Sequence, residues 1–147
     1  MTSRIFIDAN IPIYAIGRDH PLRGSSKRVI TLIPDYPDRF FTSAEVLQEL
    51  LHRYLSLRIW REARDGFWDF VTSMGGKVES ILPGDVEQAA RLADYDYSLS
   101  ARDLIHVAVI RRVGAHRIVS AERGFDRVSD IERLDPADVG RWRSLLA

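Results

Sequence analysis

The sequence predicts an α/β fold, a three-layer sandwich in which helices cover both faces of a central parallel sheet of about four to five strands. Short apolar runs alternate with helical patterns along the chain, an arrangement typical of parallel sheets. One helical segment is apolar on nearly every side, which indicates a buried central helix. The chain has 147 residues and no visible linker or repeat, so we expect a single domain over residues 1–147.

The candidate strands share short runs of apolar, often β-branched residues. In chain order they are residues 4–8, 39–42, 77–82, 117–119 and, as a candidate fifth, 131–134. The first strand ends at Asp8, and the fourth continues into Ser120. Because parallel α/β sheets bind their ligands outside the carboxyl ends of the strands, chemistry is expected near these two residues.

Helices are expected between the strands, and several carry start or stop signals. Asn10 is expected to cap the first helix, with Pro12 in its first turn. Ser43 is expected to cap an amphipathic helix whose apolar face includes Leu50 and Tyr54. The other helices are expected at residues 23–33, 58–74, 85–94, 100–113 and 136–146. The first of these is expected to end near Pro34 and the second at Gly75-Gly76, and Asp85 is expected to begin the third with a capping box.

The composition excludes several classes of protein. The chain has no cysteine, which excludes disulfide scaffolds, Fe–S clusters and thiolate zinc sites. Residues 1–10 lack the apolar run of a signal peptide and no stretch approaches a membrane span, so we expect a cytoplasmic protein. The 21 basic and 21 acidic residues balance. Arginine supplies 19 of the 21 basic residues, which suits phosphate binding but also fits a G+C-rich genome.

Carboxylates gather where the fold is expected to place chemistry. Asp8 ends the first strand, Asp103 lies in the first turn of the buried helix, and Glu122 follows the fourth strand, with Asp126 beyond it. Glu49 lies at the flank of the apolar stripe on its helix. Neighbouring carboxylates repel unless a cation lies between them, and Mg²⁺ and Mn²⁺ prefer oxygen ligands. The pattern therefore predicts a Mg²⁺ or Mn²⁺ site.

Each acid also has a structural explanation that the sequence leaves open. Asp8 could cap the helix that follows it, and Asp103 could be the acid of a capping box. Glu49 precedes Arg53 by four residues, the spacing of a helical ion pair. Glu122 could be a solvated loop acid.

His106 lies one turn after Asp103 on an otherwise apolar helix. We interpret it as a core histidine with its polar atoms satisfied rather than as a general base. Neither glycine-rich phosphate motif occurs in the chain, which argues against dinucleotide enzymes and P-loop NTPases. A receiver-type signalling domain would need a lysine ending a late strand, and neither Lys27 nor Lys77 fits.

Four segments of the chain carry motifs in one order. They are Ile7–Tyr14, Thr42–Leu50, Asp103–Ala108 and Ile118–Asp126. Together these motifs resemble the PIN-domain nucleases and, within that family, the VapC-type toxins of toxin–antitoxin pairs. The family places its second acid six residues after a serine such as Ser43, which selects Glu49 over Glu45.

The resemblance implies a PIN-like α/β sandwich, Mg²⁺ or Mn²⁺ at the acids and endonucleolytic cleavage of RNA. It also implies a cognate antitoxin and self-association as a homodimer or higher oligomer. The family usually has Asp at the position of Glu122, so the second metal position could fall to Glu122 or to Asp126.

On this basis the expected catalytic residues are Asp8, Glu49, Asp103 and Glu122, all candidate metal ligands together with Asp126. Asn10 is expected to orient Asp8 or touch phosphate, and Ser120 to hold a carboxylate or a water. Two other functions stay open: a non-catalytic PIN-fold RNA-binding or scaffold module, and a housekeeping RNA-processing nuclease.

An aromatic cluster on two helices has two interpretations. Tyr54, Trp60 and Trp68 could belong to the core, or could line a groove for an antitoxin helix or a dimer contact. We favour the core.

Overall fold

Five parallel strands form one sheet in the spatial order β3-β2-β1-β4-β5. The computed structural model describes residues 3–147, so the first two residues of the expected domain lie outside the described part. The strands are β1 (Ile5–Ile7), β2 (Phe40–Ser43), β3 (Val78–Glu79), β4 (Arg117–Val119) and β5 (Glu132–Leu134). The predicted parallel sheet is confirmed, including its fifth strand.

Helices connect the strands in two groups. The helices are α1 (Asn10–Ile16), α2 (Arg23–Asp35), α3 (Ala44–Ser56), α4 (Trp60–Met74), α5 (Pro83–Leu92), α6 (Ala101–Arg112) and α7 (Val139–Trp142). Helices α1, α2 and α4 pack on one another, and α5 packs on α6. Right-handed crossovers place these groups on opposite faces of the sheet. Within residues 3–147, no helix combines the length and apolar character that a membrane span requires.

Local signals explain several helix ends. The Ser43 hydroxyl accepts a hydrogen bond from the Val46 amide at 3.4 Å and caps α3. Gly75 ends α4 in the left-handed conformation with φ of 55°, which glycine adopts without steric cost. Both ends match the sequence prediction.

Other boundaries differ from the prediction for physical reasons. Asn10 is the first residue of α1 rather than its cap, because its side chain is engaged across the sheet edge. Asp85 accepts a hydrogen bond from the Leu82 amide at 2.8 Å, so α5 begins earlier, at Pro83. Helix α2 passes Pro34 and ends at Asp35.

Two other elements are shorter in the structure than predicted. Strand β3 has two residues, and the expected closing helix is divided into the 3-10 turns Pro136–Asp138 and Arg143–Leu146 around α7.

The chain changes direction across the sheet next to β1. From β1 it continues to β2 and β3 on one side, then crosses to β4, which pairs with β1 on the other side. In that pairing Ile7 is opposite Val119, so the next residues, Asp8 and Ser120, meet at the carboxyl edge. Such a switch point opens a crevice where α/β proteins bind ligands.

The central helix α6 is buried beside this crevice. Its buried residues are Leu104, His106, Val107, Ala108, Val109 and Ile110. The prediction of a central, almost wholly apolar helix is confirmed, and its first turn brings Asp103 to the carboxyl edge of the sheet.

Candidate active site

Asp8 is a buried carboxylate held by three donors. Its Oδ1 accepts the Ala9 amide at 2.7 Å, and its Oδ2 accepts the Ser120 hydroxyl at 2.6 Å and the Asn10 amide at 3.3 Å. Only 3% of Asp8 is exposed. The carboxylate is therefore fixed in orientation where β1 meets β4.

The Ser120 hydroxyl connects three residues at this edge. It donates to Asp8 and accepts from the Asn10 side-chain amide at 3.1 Å and from the Glu122 backbone amide at 3.0 Å. The Asn10 carbonyl oxygen in turn accepts the Ala121 amide at 3.4 Å. The hydroxyl uses its donor and both of its lone pairs, so the residue after β4 positions the carboxylate after β1.

Asp103 lies in the first turn of α6 and has a structural role there. Its Oδ2 accepts the Ser100 amide at 3.2 Å, and its own amide donates to the Ser100 hydroxyl at 3.2 Å. This is the capping box that the sequence left open. A ligand atom of Asp103 nevertheless lies within 4.8 Å of atoms of Asp8 and His106, so the carboxylate both caps the helix and faces the site.

Glu49 faces the same cluster from α3. Its Oε1 lies 3.9 Å from His106 Nε2, and among residues 3–147 no ion pair joins Glu49 to Arg53. Glu45, one turn earlier, instead lies 3.5 Å from the guanidinium Nε of Arg102. Glu49 therefore lies beside the buried acids, whereas Glu45 lies beside an arginine.

His106 differs from its interpretation as a satisfied core histidine. It is fully buried, but in the described part of the chain neither ring nitrogen has a hydrogen-bond partner. Its Nε2 lies 3.5 Å from Asp8 Oδ1. Burial lowers the pKa of His106 to about 4, so the ring is neutral at physiological pH. The sequence signal was the three-residue spacing from Asp103, which puts both side chains on one helix face.

Burial and neighbouring charges raise the pKa values of all three acids. Burial raises the pKa of Asp8 to about 6, although the Ser120 hydroxyl lowers it. Burial, and then the charges of Asp8 and Asp103, raise the pKa of Glu49 to about 7. Burial and the Asp8 charge also raise the pKa of Asp103. The cluster therefore carries an excess of negative charge, which Arg102 offsets only in part at Glu49.

Glu122 and Asp126 have different surroundings. Glu122 lies near enough to raise the pKa of Asp8 through its charge, while its Oε1 accepts the Gly124 amide at 2.9 Å. Asp126 is paired with Arg133, which donates to both of its carboxylate oxygens at 3.0 and 3.1 Å. The structure thus brings Asp8, Glu49 and Asp103 together, places Glu122 beside them, and neutralises Asp126 in an ion pair.

This donor set fits a divalent cation. Hard cations take carboxylate oxygens and need few protein ligands when water and phosphate complete the shell. A cation between Asp8, Glu49 and Asp103 would lower their raised pKa values and offset their mutual repulsion. The unpartnered Nε2 of His106 adds a polar group beside the same position.

A cationic cleft of about 330 Å³ opens beside Glu49, and the sequence analysis did not predict it. Its lining is formed by Ile13, Glu49, His52, Arg53, Ser56, Leu57 and Arg102. Two arginines thus lie next to a carboxylate of the cluster. Sequence spacing alone could not find this cleft, because it joins the end of α3 to the start of α6.

Comparison with known proteins identifies the family. The family model described as PIN domain matches residues 5–131. Ribonuclease VapC13 of Mycobacterium tuberculosis is 37% identical over 130 residues, which covers 88% of this chain and 98% of that protein. Ribonuclease VapC23 of the same species is 37% identical over 117 residues, covering 78% of this chain and 89% of that protein. The chain belongs to the PIN-domain family and, within it, to the VapC ribonucleases.

Solved structures agree on the fold. Mycobacterium tuberculosis VapC20, described as a sarcin–ricin loop cleaving toxin, superposes with a TM-score of 0.62 at 20% identity, covering 84% of this chain and 94% of that one. A structure of FitAB bound to a DNA fragment superposes with a TM-score of 0.65 at 14% identity, covering 90% and 94%. At these identities the likeness supports the three-layer α/β fold alone.

Proposed function

We propose that this protein is a metal-dependent endoribonuclease and the toxin of a toxin–antitoxin pair. The observation that carries the proposal is the convergence of Asp8, Glu49 and Asp103 at the switch point of the sheet, with raised pKa values. Its relatives at 37% identity are named ribonucleases and cover most of the chain. VapC20, with the same fold, is described as a sarcin–ricin loop cleaving toxin.

In this proposal, Asp8 and Asp103 hold the cation and Glu49 binds it directly or through a water. A bound Mg²⁺ or Mn²⁺ would supply an activated water and stabilise the charge that develops on the phosphodiester. Ser120 and Asn10 keep Asp8 in one orientation through their hydrogen bonds. Glu122 adds negative charge beside Asp8 and is the better candidate than Asp126 for a second metal position.

We propose that the cleft beside Glu49 binds an RNA phosphate adjacent to the scissile phosphate. Arg53 is exposed and lines the cleft together with Arg102. Guanidinium groups bind phosphate through paired donors. A strand whose scissile phosphate lies at the carboxylates would bring a neighbouring phosphate toward these arginines.

A cognate antitoxin and a homo-oligomeric state are part of the proposal. The aromatic residues of α3 and α4 differ in burial: Tyr54 is 2% exposed and belongs to the core, whereas Trp68 is 57% exposed. Trp68 is therefore available for a protein contact, and Trp60 is half-buried beside Phe67. The cytoplasmic location stays a prediction.

Cleavage of total cellular RNA by the purified protein tests the proposal. The assay compares wild type with Asp8→Asn, with Mn²⁺, Mg²⁺ or chelator. Discrete fragments that require both the metal and Asp8 are expected. No cleavage by folded, antitoxin-free protein under any condition would favour the non-catalytic RNA-binding module. Cleavage that persists in Asp8→Asn would overturn the assignment of the site.

A further inference from the structure

His106 lies beneath the carboxylate cluster in a place where packing alone does not call for an imidazole. Its ring is fully buried and contacts Phe6, with ring centroids 5.0 Å apart. The other buried residues of α6 are apolar. A leucine or phenylalanine would fill this space without placing two ring nitrogens that lack partners in the described chain. Buried polar groups of this kind call for an explanation.

The two ring nitrogens have different surroundings. Nε2 is the ring nitrogen in the short contacts with both acids, 3.5 Å from Asp8 Oδ1 and 3.9 Å from Glu49 Oε1, and within residues 3–147 Nδ1 has no hydrogen-bond partner. A neutral imidazole has one N–H and one lone pair. In the ionised state of the two acids, which binding of a cation requires, a lone pair on Nε2 would face two negatively charged oxygens, so the proton belongs on Nε2 and the lone pair on Nδ1.

The same asymmetry argues against direct metal ligation by His106. A metal-bound histidine almost always donates its second N–H to a carboxylate, carbonyl or water. Ligation through Nε2 would place that second proton on Nδ1, where the described structure offers no acceptor. If Nε2 instead donates its proton to the acids, the atom left without a partner is the Nδ1 lone pair rather than an Nδ1–H group.

We propose that His106 is a positioning residue of the proposed nuclease site: its Nε2–H lies between Asp8 Oδ1 and Glu49 Oε1 and orients both oxygens toward a cation that it does not itself bind. The inference rests on the proposed function. A shift of about half an ångström brings Asp8 Oδ1 into hydrogen-bond distance of Nε2, and Glu49 Oε1 needs a shift of about 0.7 Å. His106 thereby links the acid after β1 to the acid on α3.

Three substitutions separate this role from plain packing. His106→Gln carries an amide nitrogen that can take the place of Nε2, whereas the shorter side chain of His106→Asn cannot reach it, and His106→Leu keeps the volume without a donor. The readout is the dissociation constant for Mn²⁺ alone, from electron paramagnetic resonance of the free ion without RNA. Loss of an outer partner of a metal ligand weakens binding by about 10- to 100-fold. We expect that loss for Asn and Leu, and a constant within about threefold of wild type for Gln.

Two measurements on wild type test the role of His106 without any variant. Nitrogen NMR of the imidazole should show the Nε2–H tautomer; the Nδ1–H tautomer would overturn the proposal. Electron spin echo spectra of bound Mn²⁺ should show no directly coordinated nitrogen; such a coupling would make His106 a ligand. If His106→Leu bound Mn²⁺ as tightly as wild type, His106 would have only a packing role.

The proposal and the proposed function fail in distinguishable ways. Both the tautomer and the Mn²⁺ constant are measured without RNA, so an inactive protein that binds Mn²⁺ normally would leave the role of His106 intact. If wild type cleaves RNA and His106→Leu binds Mn²⁺ as tightly as wild type, the nuclease proposal stands and the positioning role of His106 is wrong.

Discussion

Ser120 and Asp8 are 112 residues apart in sequence and joined by a 2.6 Å hydrogen bond at the carboxyl edge of two neighbouring strands. The parallel register that puts Ile7 opposite Val119 brings them together. The bond favours the ionised form of Asp8 and opposes the rise in pKa that burial causes. One hydroxyl thus supports the charge state that a cation site requires.

Replacing this hydroxyl should weaken both the fold and the site. Ser120→Ala removes the donor to Asp8, leaves the Glu122 amide without its acceptor, and leaves Asp8 as the one remaining acceptor of the two that the Asn10 side-chain amide has. We expect a loss of about 1–3 kcal/mol in the free energy of unfolding and weaker Mn²⁺ binding near neutral pH. Urea unfolding and Mn²⁺ titration check this, with the exposed Ser144→Ala as the control. A variant as stable as wild type would show that the hydroxyl has no such role.

Glu49→Gln should stabilise the metal-free protein at high pH only. The pKa of Glu49 is raised to about 7 in the folded chain, so its ionisation opposes folding as pH rises from about 4.5 through 7. Removing that charge should contribute roughly 1 to 2 kcal/mol above pH 7, after allowance for solvent screening, and nothing near pH 4.5.

Urea unfolding with chelator, from about pH 4.5 to 8, measures this difference. Glu62→Gln, an exposed acid on α4, is the matched control and should show no pH-dependent gain. A gain of equal size at every pH would point to helix propensity rather than to charge repulsion.

Two substitutions separate the two roles of Asp103. Ser100→Ala removes one half of the capping box and leaves the carboxylate, so it should cost about 1 kcal/mol of stability while cleavage stays within a few-fold of wild type. Asp103→Asn keeps an oxygen for the Ser100 amide but loses the charge. It should fold normally and lose cleavage. Comparable cleavage by Asp103→Asn and wild type would mean that Asp103 is a helix cap alone.

The strands and the central helix could be predicted from sequence because they depend on local patterns. Strand β1 is buried throughout and reads as a continuous apolar run, and the Ser43 cap sits where the sequence marks it. The acids at strand ends followed from the general geometry of parallel sheets. Element ends were less predictable where a side chain has a long-range partner, as for Asn10.

The site was harder to predict where its function depends on contacts distant in sequence. Pairing of Asp126 with Arg133 follows from the position of β5 beside the 3-10 turn Arg123–Arg127. The orphaned nitrogens of His106 depend on which residues of β1 and α3 surround α6. Neither the Asp126–Arg133 pair nor the surroundings of His106 depend on the local hydrophobic pattern. The sequence could therefore indicate these residues but not their partners.

Glu122 and Asp126 should differ in their effect on metal binding. The charge of Glu122 acts on Asp8, whereas Arg133 neutralises Asp126 through two hydrogen bonds. Glu122→Gln should therefore weaken Mn²⁺ binding by about tenfold, and Asp126→Asn by less than about threefold. Glutamine can still accept the Gly124 amide, so the turn should persist. If Asp126→Asn caused the larger loss in an Mn²⁺ titration, Asp126 would be the residue that serves a second metal.

Arg53→Gln should weaken RNA binding without touching the metal. Arg53 lines the cleft beside Glu49, and each phosphate contact that is lost lowers the salt dependence of binding by about one unit of slope. We expect KM to rise a few-fold and kcat and the Mn²⁺ constant to stay near wild type. Arg141→Gln, an exposed arginine on α7, is the charge-matched control. Equal KM values and salt slopes for the two variants would show that RNA does not enter this cleft, and that the substrate approaches the carboxylates from another side.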